Sequence, residues 1–194
     1  RDQLELLIQR RTTRKPLASV EVNPSIVERY YQRRAIAKVA EVFENKERKA
    51  LPVMAMGSGK TRTVIDLADV LIRANWAKRI LFLADRVALV NQAANAFKQQ
   101  LPDSAPVNLV TDKDSEGRVY VSTYPTMMGL INPDTNGVRR FGPGHFDLVI
   151  IDEAHRSVYQ KYGALFDYFD SLLVGLTATP KDEIDHNTYG LFNL

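Results

Sequence analysis

Short, continuous apolar runs alternate along this chain with stretches whose apolar residues recur every third or fourth position. The runs fall at 50–54, 79–84, 107–110, 119–122, 146–151 and 172–176. Each is too short for a stable helix, so each predicts a strand. Ahead of the first run, Ile36, Val39, Ala40 and Phe43 fall on one helical face, and the pattern predicts a helix over 26–44. Asn23-Pro24-Ser25 reads as the turn and cap before it. Val64, Leu67, Ala68, Leu71 and Ile72 make a second helical stripe, and Val87, Val90, Ala94 and Phe97 a third. The strands are apolar throughout rather than alternating, so both of their faces are covered. Strands of that kind interleaved with amphipathic helices predict an α/β fold, a mainly parallel sheet with helices on both faces.

Length and composition narrow the function classes. At 194 residues the chain is one large domain, with a Gly/Pro-rich loop over 131–145. The expected division is an N-terminal arm or linker over 1–24, the α/β domain over 25–184 and a connector over 185–194. The absence of Met at the start suggests a piece of a longer protein. Cysteine is absent, which removes disulfide scaffolds, thiolate metal sites and a Cys nucleophile, and fits a cytoplasmic protein. Three His leave little for a His-rich metal centre, and no apolar run is long enough to span a membrane. Net charge is +3, but residues 1–50 hold 12 Lys and Arg against 7 Asp and Glu, which favours an anionic partner near that end.

Four segments carry candidate chemistry. Gly57-Ser58-Gly59-Lys60-Thr61 stands where a strand gives way to a helix. Glycines there let backbone N–H groups converge on phosphate oxygens at a helix N-terminus. Lys60 would reach the outer phosphates of ATP, and the Thr61 hydroxyl would bind Mg²⁺. Asp152-Glu153-Ala154-His155 follows the 146–151 strand, at the sheet edge where ligands bind. Asp152 would hold Mg²⁺ through water, and Glu153 would orient and deprotonate an attacking water. Gln32, in Tyr30-Tyr31-Gln32, has an amide able to pair with an adenine edge. Thr177 and Thr179, in Leu176-Thr177-Ala178-Thr179-Pro180, are small hydroxyl residues placed to link a γ-phosphate to its surroundings.

In order and spacing these segments resemble the first RecA-like domain of superfamily 2 helicases and translocases: Q motif, phosphate loop, a DEAH-box acidic motif and a Thr-Ala-Thr motif. The phrases Tyr30-Tyr31-Gln32, Val53-Met54-Ala55, Phe82-Leu83-Ala84-Asp85-Arg86 and Leu176-Thr177-Ala178-Thr179-Pro180 are closer to the motor (R) subunit of type I restriction enzymes. In that subgroup Met is usual where Met54 replaces the first Gly of the formal loop pattern, whereas Met56 stands where Thr is commoner. The resemblance implies a RecA-like P-loop NTPase domain using ATP and Mg²⁺. It also implies contacts of Arg86 and Thr123 with the backbone of double-stranded DNA, and a second RecA-like domain carrying arginine fingers. Methyltransferase and specificity subunits are the partners it suggests, and a type I site-specific deoxyribonuclease the parent. The alternatives from the residues are an RNA helicase of the same superfamily, a P-loop kinase, and a nucleotide-binding module inactive on its own.

Overall fold

A computed structural model of the chain describes residues 4–5, 8–9, 12–132, 137–154 and 156–178. Six strands form one sheet: β1 (Lys49–Ala50), β2 (Ile80–Ala84), β3 (Val107–Asn108), β4 (Val119–Thr123), β5 (Leu148–Ile151) and β6 (Leu172–Gly175). They lie in the order β1-β6-β5-β2-β4-β3, and every pairing is parallel. Five helices are described alongside: α1 (Tyr30–Glu44), α2 (Lys60–Arg73), α3 (Val87–Gln100), α4 (Tyr124–Ile131) and α5 (Arg156–Tyr168).

The central strand shows why the runs are apolar. All five residues of β2 are buried, with register Ile80↔Val119 to β4 on one side and Ile80↔Leu148 to β5 on the other. Successive side chains leave opposite faces of a strand. Ile80, Phe82 and Ala84 join an aliphatic core under α1, α2 and α3, where Ile36, Val64, Leu71, Val90 and Phe97 are buried. Leu81 and Leu83 join a second, aromatic-rich core under α4 and α5, with Tyr120, Tyr124, Phe141, Phe146 and Phe166.

Two boundaries move. The strand expected over 50–54 is paired only at Lys49–Ala50, with one further bridge from Val53 to Thr177. It is the edge strand, and Pro52 has no N–H to give the ladder. The helix expected from Ile26 begins at Tyr30, because residues 24–26 form a turn. Helices α4 and α5 have no counterpart in the periodicity. Short α4 has a mostly apolar sequence, and α5 breaks at Tyr162, where φ is −124° and ψ 15°.

Residues 14–17, in the segment expected as an arm or linker, lie against the domain. Lys15 N donates to Ala74 O at the end of α2, and Trp76 Nε1 donates to Lys15 O. The Arg14 guanidinium covers the Trp76 ring at 4.7 Å, and Leu17 is buried. Among the described residues no helix is long and apolar enough to cross a membrane.

Candidate active site

Because β1, β6, β5, β2 and β4 are parallel neighbours, the loops after them share one edge of the sheet. That brings residues far apart in sequence into one row. The glycine loop follows β1, Thr177 follows β6, and Asp152-Glu153 follows β5. Asp85-Arg86 then follows β2, and Thr123-Tyr124 closes the row at the end of β4.

Gly57 and Gly59 both adopt left-handed backbone, with φ of 73° and 81°. Gly59 caps α2, so Lys60 and Thr61 open a helix whose first N–H groups have no partner within it. A Cβ on Gly59 would also collide with the Gln32 amide, whereas one on Gly57 would meet nothing. Gly57 is therefore required for conformation and Gly59 for conformation and space. The Ser58 hydroxyl is buried without a hydrogen-bond partner, an unused donor inside the loop. These features fit a phosphate group.

Lys60 Nζ pairs with Glu153 Oε1 at 3.0 Å, joining the loop after β1 to the turn after β5. The Lys60 side chain is 14% exposed and that of Glu153 42%. Glu153 has φ of 53°, left-handed backbone in a non-glycine residue. Its turn is held by several bonds. Asp152 N donates to Leu83 O, Glu153 N to Asp152 Oδ1, and Ala154 N to Leu176 O. Burial raises the pKa of the Asp152 carboxyl, the Glu153 charge adds to this, and Lys60 opposes it. The hydroxyl of Thr61 and the carboxylate of Asp152 are hard oxygen donors of the kind Mg²⁺ takes. Among the described residues no three His, Asp or Glu gather as a protein-only metal cage.

Gln32 is buried, and both ends of its amide are engaged. Nε2 donates to Ser58 O at 2.9 Å, and Oε1 accepts from Arg29 N at 3.3 Å. Tyr31 Oη donates to the same Ser58 carbonyl at 3.1 Å. Gln32 thus braces the glycine loop from α1. An adenine edge would have to take the place of these bonds. Thr177 is buried, and its carbonyl accepts from Met54 N at 2.9 Å, tying the two loops together.

The two residues expected at nucleic acid differ. The Arg86 side chain is 79% exposed, with Asp85 3.7 Å away. Thr123 is buried. Its hydroxyl accepts from Thr126 N and donates to Thr126 Oγ1, which caps α4. His155 and Thr179 lie outside the described residues. One residue of the edge escaped sequence reading: Tyr124, whose hydroxyl donates to the Asp152 carbonyl at 3.0 Å. An aromatic residue directly after a strand that ends at the site was the available signal. A cavity of about 750 Å³ between Arg14, Phe43, Trp76, Asp147 and Asp170 lies at the opposite edge and shares no residue with these loops.

The family described as ResIII, "Type III restriction enzyme, res subunit", matches residues 25–182. The chain is 38% identical over 160 residues to the type I restriction enzyme EcoAI endonuclease subunit of Escherichia coli. That alignment takes in 79% of this chain and 19% of that protein. A fragment structure assigned to an HsdR subunit of a type I restriction enzyme from Vibrio vulnificus YJ016 superposes with a TM-score of 0.62 at 27% identity. It covers 86% of this chain and 29% of that one. The Sulfolobus solfataricus SWI2/SNF2 ATPase core, solved with dsDNA, shares the fold. Its TM-score is 0.64 at 17% identity, over 93% of this chain and 38% of that one.

Proposed function

The chain belongs to the ResIII family, and from that premise we propose that it is the first of two RecA-like motor domains in an ATP-driven double-stranded DNA translocase, a segment of a type I restriction enzyme R subunit. The observation that carries this reading is the Lys60–Glu153 pair, which draws the glycine loop and the acidic turn to one point from 93 residues apart.

The residues divide the work as follows. The first-turn N–H groups of α2 and the Ser58 hydroxyl bind phosphate oxygens. Lys60 leaves Glu153 to neutralise the outer phosphates. Thr61 and Asp152 would hold Mg²⁺, which would supply further neutralisation of phosphate charge. Glu153, freed of Lys60, accepts a proton from the attacking water. While Lys60 holds Glu153 that carboxylate is engaged, and the phosphates compete with it for the lysine. Gln32 reads the adenine edge when its bonds to Ser58 and Arg29 yield. Thr177 and Thr179 connect the phosphates to the loop after β6. Arginine fingers come from the second motor domain.

DNA lies along the β2–β4 end of the edge, where Arg86 and the Thr123 turn meet its phosphates without reading sequence. Methyltransferase and specificity subunits complete a cytoplasmic restriction complex. The experiment is equilibrium binding of Mg·ATP and of AMP to the chain and to Lys60→Ala. A charge-assisted contact to the outer phosphates is worth roughly 1.5–3 kcal/mol, so ATP should weaken about 10–100-fold and AMP hardly at all. Equal losses for both nucleotides would remove Lys60 from the outer phosphates.

A further inference from the structure

Tyr124 is fully buried at the junction of β4 and α4, beside the turn assigned to DNA. Its hydroxyl nevertheless ends at the nucleotide site, donating to the carbonyl of Asp152 at 3.0 Å. Strands β4 and β5 are not neighbours, since β2 lies between them. Two strand spacings, about 9–10 Å, are therefore bridged by one side chain.

The group it holds is the peptide that leads into Glu153. A non-glycine residue in left-handed backbone is strained and persists only where neighbours fix it. Other bonds on this turn come from the turn itself, from β2, from Leu176 after β6 and from Lys60 on α2. Tyr124 is the side chain that adds a hold from the β4–α4 side. The grip extends further along the chain. The Tyr124 ring stacks on Tyr162 at 5.0 Å and 13°, at the residue where α5 departs from helical geometry. Phe166 meets the same ring edge-on at 6.1 Å. The facing groups are Asp152, Asp85, Glu153 and Tyr162. Burial first, and then those carboxylates, push the phenol pKa up, so the hydroxyl remains a donor at every working pH.

We propose that the Tyr124 hydroxyl is a positioning group that couples the DNA end of the edge to the nucleotide site, by setting through the Asp152 carbonyl the turn that aims Glu153. The proposal rests on the ATPase reading above. Thr123, the residue before Tyr124, spends its hydroxyl capping α4. A DNA phosphate at that cap competes for the Thr123 hydroxyl and for the Thr126 N–H that bonds it, since Pro125 has no N–H to offer. The shift it causes begins one residue from Tyr124 and is delivered 28 residues away, at Asp152.

The test is Tyr124→Phe in the full chain, which keeps the ring and its stack and removes only the hydroxyl. Mg·ATP affinity is measured without and with saturating duplex DNA, together with DNA affinity alone and the thermal midpoint. Coupling between two ligands is reciprocal and commonly about 5–150-fold, so duplex DNA should change wild-type ATP affinity by a factor in that range. In Tyr124→Phe each ligand alone should bind within about twofold of wild type, while the coupling factor falls to within about twofold of one. Phe166→Leu, which disturbs the same packing and leaves the hydroxyl, should retain the coupling. Coupling unchanged in Tyr124→Phe overturns the proposal, and so does a wild type that binds both ligands independently. Parallel loss of both affinities with a lowered midpoint, or a variant that does not fold, assigns the hydroxyl to stability and overturns it too. Failure of the wild type to bind Mg·ATP at all would sink the ATPase reading instead, and it would be seen before any Tyr124 variant is compared.

Discussion

The loops after β1, β6 and β5 and the loops after β2 and β4 stand on one sheet edge, yet they are built on different terms. The first group is cross-linked: Lys60 to Glu153, Gln32 to Ser58, Met54 to Thr177, Ala154 to Leu176. The second spends its groups locally or on solvent, apart from Tyr124, whose hydroxyl reaches the Asp152 carbonyl. Arg86 projects with 79% of its side chain exposed, and the Thr123 hydroxyl serves its own helix. A cross-linked site loses more than one interaction when any member is changed, because the partner is left unpaired. Separate contacts are lost one at a time. The nucleotide end should therefore respond to substitution steeply and the DNA end in small, independent steps.

The largest effect should come from Glu153→Gln. The amide keeps the shape and removes the base, and general-base contributions are typically about 10²–10⁴-fold. Steady-state ATPase, in a chain carrying both motor domains, should fall by about that factor. Affinity for Mg·ATP should stay or tighten, since Lys60 no longer has an ionised rival for the phosphates. Normal turnover would take Glu153 out of catalysis and weaken the contrast between the two ends.

Asp66 extends the cross-linking below the edge. It lies on α2 with Lys60, is buried, and its Oδ1 accepts from Asn23 N in the turn that precedes the helix of Gln32. Burial pushes its pKa up from 3.8 to about 6. The folded chain thus holds a proton that the unfolded chain has released, and the resulting stabilisation is full below about pH 4 and lost as pH rises through about 6. Asp66→Asn keeps the acceptor and cannot ionise. Its stability relative to wild type should rise between pH 4 and pH 7 by on the order of 2–3 kcal/mol, read from denaturant unfolding at each pH. A constant difference across that range would show that Asp66 titrates as an exposed carboxyl does.

Gln32→Ala tests the brace. Removing the amide frees the Ser58 carbonyl and the Arg29 N–H, so ATP affinity should drop by about threefold to tenfold, the worth of one or two neutral hydrogen bonds. If Gln32 also reads adenine, the preference for ATP over GTP should shrink, and an unchanged preference leaves it as a brace alone.

The smallest effect belongs to the other end. Arg86→Ala should weaken duplex DNA binding a few-fold and lower the slope of log affinity against log salt by about 0.9, one phosphate contact. ATP affinity in the absence of DNA should not change. A large loss of nucleotide binding would show that the two ends are less separate than their bonding indicates.

What could be read from the sequence follows the same division. The six strands were legible because buried parallel strands must be apolar on both faces. The glycine loop was legible because few residues other than Gly tolerate the backbone of positions 57 and 59. The acidic pair was legible from its place after 146–151. Helices α4 and α5 were not: α4 is eight mostly apolar residues with little contrast between faces, and the break at Tyr162 interrupts the period of α5. The uses of Gln32, Thr123 and Tyr124 were not legible either. Each depends on which way one side chain turns and on a partner that only the folded sheet brings near, Ser58 for Gln32 and Asp152 for Tyr124. Thr123 shows the reverse case, since its partner is the local Thr126 and the capping bond consumes a hydroxyl expected at DNA.

Helix α2 carries Lys60 at one end and receives Lys15 at the other, through Ala74. Fourteen helical residues make a rod about 21 Å long. The segment entering the domain is thus moored a full helix length from the phosphate loop, on the far rim of the sheet. The mouth of the nucleotide loop stays clear of that mooring. A dye or tether fixed near Thr13 would report on the domain without crowding its chemistry.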